Sequence, residues 1–404
     1  MATITKARPA FSYMSETPAG PIECDGKFLR STIPTNRSNY GEPAKPSLSF
    51  HEYFLAIETW LSQNLDNVSD AVQEMRGREA SQIDVIKIVA EKHGSDYHPA
   101  RVIIGRDETA VSLAVNVAVT QRGRDRMESE YSALAYLART FPRRFIPRVF
   151  FSGTQCVGAD PATDRQVSLF AAEWYEGFHE FHLDSSAPAP EATATLWDPL
   201  SWGAQLDQEE LSEIYRQAAY ILTYYYNVSN CCEIFPWHHA AGDFVVKRAQ
   251  NRIDVRLITV RQYAPRIELS DNSPDKQAIA ALMFLVNLTL RTRLDRSQGT
   301  GDIVWGPERS VNDTLRGFAE ALQDQVEEGR LTHTRFREIM SFLGRLAPAE
   351  LAEAFLAALD SYDPRAPDIP VIKQNLDAHI FSVFKALRSM QDRLAHRPQS
   401  HTTG

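Results

Sequence analysis

The sequence has few of the features that mark several common classes of protein. Only four of its 404 residues are cysteine, at positions 24, 156, 231 and 232, and they form neither a disulfide framework nor a C-x-x-C metal pair. The N-terminus lacks an apolar signal core. The longest strongly apolar run, Ala278 to Leu290, contains Asn287 and is shorter than the ~20 residues that a membrane span needs, so it predicts a buried helix. These absences favour a cytoplasmic protein in a reducing environment.

A basic surface is also missing. The formal net charge is −9 and the isoelectric point is near 5.7, whereas non-specific binding to nucleic acid or to anionic membranes requires a basic face. We therefore expect neither nucleic acid nor a membrane as a partner. The motifs G-x-x-x-x-G-K-[ST], G-x-S-x-G and H-E-x-x-H do not occur, which leaves P-loop, serine-hydrolase and helical zinc sites without support.

The composition is that of a globular protein, with 43% hydrophobic and 24% charged residues. In the first half, the alternation of apolar residues predicts three strands, a helix and two further strands. We place these elements at 83–90, 101–104, 111–120, 125–139, 147–152 and 167–174. Turn residues between the first three strands indicate an antiparallel meander.

The second half is mainly helical. Apolar residues at steps of three and four predict a helix over 208–227. The same pattern, with prolines between the segments, predicts further helices over 275–294, 308–328, 333–345, 348–360 and 370–392.

Ionisable groups concentrate in one stretch, Pro236 to Tyr263, which reads PWHHAAGDFVVKRAQNRIDVRLITVRQY. Two histidines, a glycine and an aspartate precede two β-type runs at 244–247 and 255–260. Because these polar groups stand at the entry to a predicted hairpin, this stretch is the candidate active site.

The order of helix, His-containing loop and hairpin resembles the catalytic core of the protein-kinase-like fold, in its small-molecule phosphotransferase version (aminoglycoside and choline kinase relatives). His239, Gly242 and Asp243 are similar to the segment H-x-G-N, with Asp243 in place of the Asn. The sequence departs from the family pattern at three places. His238 stands where the catalytic base is expected, Thr259 stands where a second metal-binding Asp is expected, and the third strand, Val115-Asn116-Val117-Ala118, has no Lys.

The resemblance implies a two-lobed α+β fold, with a small antiparallel five-stranded sheet lobe and a large helical lobe that ends in a helical extension. We expect a disordered or loosely packed segment over 1–47, the sheet lobe over 48–175, and a hinge with a Pro/Ala-rich connection over 176–206. The helical lobe follows over 207–395, with the hairpin at 236–263. The aromatic residues of 173–182 either meet an adenine or serve as interface packing.

The same resemblance suggests roles for the loop residues. Asp243 would hold Mg²⁺, or it would cap the loop through backbone N–H groups. His238 or His239 would act as general base or hold the hairpin in place. Arg261 would bind a phosphate or a substrate carboxylate, or form an ion pair with Asp243 or Glu130.

In the sheet lobe, Glu130 is the best match to the helix Glu that orients the family's Lys. Lys87, Lys92 or Arg101 would replace that Lys in binding phosphates, unless each is an ordinary solvated strand charge. The implied ligands are ATP and Mg²⁺ with a small-molecule substrate. Whether the protein is a phosphotransferase stays open, because the missing Lys and metal Asp are equally typical of an inactive, pseudokinase-like module that binds a protein partner. A third possibility is an unrelated α+β protein.

Overall fold

The computed structural model describes residues 8–17, 19–34, 48–77, 83–91, 97–106, 109–158, 165–183, 193–197, 203–237, 240–250, 252–267, 273–299 and 301–395. The chain forms two compact units, Met1–Glu176 and Gly177–Gly404, which we call the sheet unit and the helical unit. The boundary between Glu176 and Gly177 falls inside 176–206, the segment predicted to form a hinge and a connection.

The described part of the sheet unit contains seven strands and four helices. In chain order they are β1 (Ala10–Ser15), β2 (Ile22–Glu23), α1 (Gly26–Arg30), α2 (Phe50–Gln63), α3 (Leu65–Arg76), β3 (Val85–Ala90), β4 (His98–Ile104), β5 (Val111–Ala118), α4 (Gln121–Thr140), β6 (Val149–Cys156) and β7 (Gln166–Glu173). The strands form one sheet in the order β2-β1-β3-β4-β5-β7-β6. The predicted order of three strands, a helix and two strands is confirmed by β3, β4, β5, α4, β6 and β7. The five strands of this set pair antiparallel with one another.

The N-terminal segment corrects one expectation. The sequence predicts a disordered or loosely packed segment over 1–47, but residues 10–15 form β1, which pairs in parallel with β3 from Ala10↔Val85 to Ser15↔Ala90. Phe11 and Tyr13 are two residues apart and share one face of β1, and both pack against the core of the sheet unit, which stabilises this pairing. Together with β2, this strand raises the predicted five strands to seven.

Both faces of the sheet carry helices. One face buries the alternating residues of the central strands, such as Val115 and Leu169, against α2 and α3. Helix α2 begins at a capping box formed by Ser49 and Glu52. On the other face, Tyr131 of α4 lies 6.0 Å from the ring of Phe170, which alternates with Leu169.

The described part of the helical unit contains nine short strands and seven helices. In chain order they are β8 (Phe181–Leu183), β9 (Ala194–Leu196), β10 (Ala204–Leu206), α5 (Gln208–Tyr225), β11 (Cys232–Ile234), α6 (Ala240–Asp243), β12 (Phe244–Ala249), β13 (Arg252–Leu257), β14 (Tyr263–Pro265), α7 (Pro274–Thr292), β15 (Leu294–Arg296), β16 (Ile303–Trp305), α8 (Ser310–Glu327), α9 (His333–Arg345), α10 (Pro348–Asp360) and α11 (Ile369–Ala395).

Close packing of α5 against α8 anchors the helical unit. A Cβ atom at Gly317 of α8 would lie 2.0 Å from the backbone oxygen of Arg216, so this crossing requires glycine. Helix α7 is buried on all sides over most of its length, as its apolar sequence predicts, and Phe284 stacks on Tyr226. Among the described residues, no helix combines the length and the apolar character needed to cross a membrane.

Candidate functional site

The candidate loop follows α5 and runs from β11 into a hairpin. Strands β12 and β13 pair antiparallel from Phe244↔Leu257 to Ala249↔Arg252, so β13 ends two residues before Thr259. Asp243 ends the short helix α6 and is 3% exposed. Its backbone oxygen accepts a hydrogen bond from the N–H of Ile258 at 2.9 Å, which ties the loop to the hairpin. His238 and His239 lie outside the described residues.

Asp243 and Arg261 form a bidentate ion pair. Nη1 and Nη2 of Arg261 donate to Oδ2 and Oδ1 of Asp243 at 2.6 and 2.8 Å. Nη1 also donates to the carbonyl oxygen of Pro236 at 3.3 Å. Of the alternatives for Arg261, the structure therefore has the ion pair with Asp243.

This pairing bears directly on the expected Mg²⁺ site. Both oxygens of Asp243 accept hydrogen bonds from Arg261, and a fixed cation stands where a metal ion would have to bind. Thr259 supplies no second carboxylate. Among the described residues, no group of three or more His, Cys, Asp or Glu side chains is arranged to hold a metal ion. The residues present do not fit Mg²⁺ at this loop.

Two more arginines contact the 233–237 segment that leads into the loop. Arg266 donates to Glu233 at 3.0 Å and lies 5.3 Å from the ring of Phe235. Arg291 lies 5.7 Å from the same ring and donates to the carbonyl oxygen of Trp237 at 3.4 Å. Burial raises the pKa of Glu233, and Arg266 opposes this shift. Three arginines thus contact four residues of this segment, Glu233, Phe235, Pro236 and Trp237.

A second cluster joins β8 to β15. The ring of His182 is 4% exposed and lies between two carboxylates, with Nε2 3.3 Å from Glu180 and Nδ1 3.5 Å from Asp295. Asp295 also accepts a hydrogen bond from the N–H of Leu183 at 2.7 Å. Gly299 makes room for the ring, because a Cβ atom there would lie 3.0 Å from it. The two carboxylates face opposite ring nitrogens, so they cannot converge on one ion.

The charges of this cluster act on one another. Burial alone would lower the pKa of His182, but hydrogen bonds and charge attraction from Asp295 and Glu180 outweigh burial and raise it. The ring therefore stays protonated to higher pH than an ordinary histidine.

In the sheet unit the expected phosphate-binding residues lie on separate elements. Lys87 of β3 is exposed. Arg101 of β4 donates to the hydroxyl of Ser112 at 3.1 Å and to Glu176 at 2.7 and 2.9 Å. Glu130 of α4 is 2% exposed.

Sequence reasoning identified Asp243 and Arg261 but missed Glu233, Arg266, Arg291 and Asp295. A signal existed for one of them, because Arg291 is a charged residue in the second half of α7, where every residue from Phe284 to Thr292 is buried. No comparable signal pointed to Asp295, which contacts residues 112 positions earlier in the chain.

No protein-family model matches the sequence, and no curated protein matches it significantly. Three solved structures are similar to parts of the chain. A choline kinase from Cryptosporidium parvum is 10% identical, with 77% of this chain and 90% of that chain covered and a TM-score of 0.30. The PAN3 pseudokinase of Drosophila melanogaster is 11% identical, with 78% and 71% covered and a TM-score of 0.27. A microcompartment-associated aminopropanol kinase is 12% identical, with 80% and 98% covered and a TM-score of 0.23.

With TM-scores this low, nothing is carried over from these proteins to the chain. The fold assignment comes from the chain's own elements: three strands, a helix and two strands in one sheet, then a helical unit whose first long helix precedes a loop and a hairpin. The structure therefore shows an α+β fold, with its elements in the order that the kinase-like resemblance implies.

Proposed function

We propose that this protein is a non-catalytic, kinase-like binding protein. One observation carries the proposal: the carboxylate expected to hold a metal ion is bound through both oxygens by Arg261. An aspartate held in this way stabilises the loop, and it is not available as a ligand unless the arginine is displaced.

The sequence departures support the same conclusion. Phosphoryl transfer depends on positioning and on neutralising the charge of the transferred group, so each missing cation or metal ligand weakens transition-state stabilisation. Here the third strand has no Lys and Thr259 stands in place of the second metal Asp. Arg101, which could have replaced the Lys, is hydrogen-bonded to Glu176.

A second candidate function is an atypical phosphotransferase that uses ATP and Mg²⁺ on a small molecule. It is favoured by Glu130, which is buried on the helix between the third and fourth of the predicted strands, as the kinase-like resemblance implies. This function requires Arg261 to leave Asp243 when the metal binds.

Release of ADP from ATP in the presence of Mg²⁺ separates the two candidates. We expect the wild-type rate to equal that of Asp243→Asn, which keeps the size of the side chain and removes its charge. Asp363→Asn is the matched control, because Asp363 pairs with Arg365 at the surface. Mg²⁺-dependent ADP release that Asp243→Asn abolishes and Asp363→Asn retains would establish the phosphotransferase instead.

A further inference from the structure

Two glutamates stand where the paired strands β1 and β3 end. The strands pair in parallel as far as Ser15↔Ala90, and the next residues are Glu16 and Glu91. The N–H of Glu16 donates to the carbonyl oxygen of Ala90 at 3.3 Å, so the pairing continues to this point. Because neighbouring strands are about 4.8 Å apart and residues in register lie on the same face, the sheet brings the two carboxyl groups side by side.

The surroundings of these carboxyl groups disfavour two negative charges. Burial raises the pKa of Glu16. Burial, and then repulsion from Glu16, raise the pKa of Glu91 to about 7. Arg101 of β4 attracts both groups, but it is hydrogen-bonded to Glu176 and Ser112. The Oε2 atom of Glu16 is buried and has no hydrogen-bond partner among the described residues. A proton shared by the two carboxyl groups relieves the repulsion between them.

The other groups that face Glu91 do not substitute for this proton. Glu176 adds a weaker repulsion. Tyr53 of α2 interacts with the charge of Glu91, but its hydroxyl donates to a backbone carbonyl oxygen of β4 at 3.1 Å. Lys92, which follows Glu91, lies outside the described residues. Of the described charges that act on Glu91, that of Arg101 alone favours the ionised form.

The end of β1 is the part of the strand that depends on these carboxyl groups. Strand β2 is two residues long, and it pairs with Met14 and Ser15 at the edge of the sheet. Earlier in β1, the ring of Tyr13 stacks on Phe54 with 4.9 Å between the ring centroids. This stacking holds the beginning of β1 independently of the carboxyl groups. Repulsion between two carboxylates should therefore open the end of β1 together with β2 and leave the beginning of β1 paired.

We propose that Glu16 and Glu91 form a pH-sensitive latch, which holds the end of β1 and β2 on the sheet while the two carboxyl groups share a proton. When the proton leaves, the two carboxylates repel each other and this edge of the sheet opens. The closed form binds the proton more tightly than a solvated glutamate does, because the pKa of Glu91 is raised from 4.5 to about 7. The stabilisation is therefore fully present below pH 4.5 and is lost as the pH rises through about 7.

Hydrogen exchange of the full chain, followed by mass spectrometry, tests the latch. Exchange is measured at about pH 5 and about pH 8, with times corrected for the intrinsic exchange rate at each pH. In wild type, the peptide with the end of β1 and β2 should be protected about tenfold less, or lower still, at the higher pH. Glu91→Gln keeps the size of the side chain and cannot ionise, so it should keep this peptide protected at both pH values.

Glu74→Gln is the matched control. Glu74 is 55% exposed in a surface pair of the same unit, so this variant should lose protection at the higher pH as wild type does. Wild-type protection that does not change with pH overturns the latch. A loss of protection in Glu91→Gln equal to that in wild type also overturns it, because another group would then be responsible.

A titration of the wild-type protein avoids any dependence on the folding of Glu91→Gln. Carbon-13 NMR of the side-chain carboxyl groups reports the pKa of Glu91, which should lie near 7. In Glu16→Gln this pKa should fall, because the repulsion from Glu16 is removed. A wild-type pKa near 4.5, or one that Glu16→Gln leaves unchanged, contradicts the proposal.

Discussion

Arginine–carboxylate pairs occur in both units, but their contact with water differs. In the sheet unit, the side chains of Arg101 and Glu176 are 25% and 54% exposed. In the helical unit, the side chains of Arg261 and Asp243 are 22% and 4% exposed, and those of Arg266 and Glu233 are 12% and 4% exposed. Water can solvate the partner that remains when a surface pair is broken, whereas a buried partner is left uncompensated. The same kind of contact should therefore matter far more for Asp243 and Glu233 than for Glu176.

The largest effect is expected for Asp243→Ala. This change leaves the Arg261 guanidinium without its counter-ion, so we expect the free energy of unfolding to fall by about 3 kcal/mol, at the lower end for a broken buried pair because Arg261 keeps some contact with water. Urea unfolding, monitored by circular dichroism, measures the change.

A double variant sharpens this prediction. If the loss comes from the uncompensated charge, Asp243→Ala combined with Arg261→Met should recover much of it, since replacing both members of a buried pair by apolar groups is often close to neutral. Asp363→Ala, in a surface pair, should leave the urea midpoint unchanged. A double variant that is less stable than Asp243→Ala would show that Arg261 stabilises the loop through other contacts.

Local patterns in the sequence were sufficient for most of the fold. Helices α9 and α10 begin and end at the predicted residues, 333–345 and 348–360, because their apolar periodicity and flanking residues define both ends. Strand β1 was missed because it pairs with β3, a strand 75 residues later, and its own segment is rich in turn-forming residues. Strand propensity is a property of the segment itself, whereas the pairing of β1 with β3 depends on a distant part of the chain.

The candidate site was predictable to a smaller extent. The position of Asp243 at the entry of the hairpin followed from the sequence. An ion pair with Arg261 was one of several alternatives, and the sequence could not decide among them because a strand pattern gives only the face of a residue such as Arg261. The predicted second strand also extended to residue 260, whereas β13 ends at Leu257. Side-chain pairs such as His182 with Asp295 depend on how β8 and β15 meet, which no local pattern describes.

A change in stability of intermediate size is expected at His182, because the charge of this buried ring depends on pH. The pKa of this ring is raised in the folded protein by Asp295 and Glu180. Its contribution to stability is therefore fully present below the pKa of the unfolded chain, about 6.5, and is lost as the pH rises through the higher folded value. We expect the wild type to lose stability relative to His182→Gln as the pH rises above about 6.5.

The difference in stability between wild type and His182→Gln isolates the contribution of this histidine. Burial raises the pKa of Glu91 in the sheet unit to about 7, so Glu91 also titrates in this range, but it does so equally in wild type and variant. Urea midpoints measured at several pH values give the comparison. A stability difference that does not change with pH would mean that His182 contributes by packing, for example against Trp197, whose ring centroid lies 4.6 Å away.

The smallest effect is expected for Arg101→Ala in the sheet unit. Glu176 is more than half exposed, so water replaces the lost partner, and we expect a loss of about 1 kcal/mol or less. Part of this loss should disappear in about 1 M salt, because the surface pair is screened there. Urea unfolding at low and high salt, with Asp243→Ala measured beside it, completes the comparison between the units. The loss of stability for Arg101→Ala could instead be as large as that for Asp243→Ala, or could be unchanged by salt. Either result would mean that the contacts of Arg101 with Ser112 and Trp174 stabilise the sheet more than the exposure of its ion pair indicates.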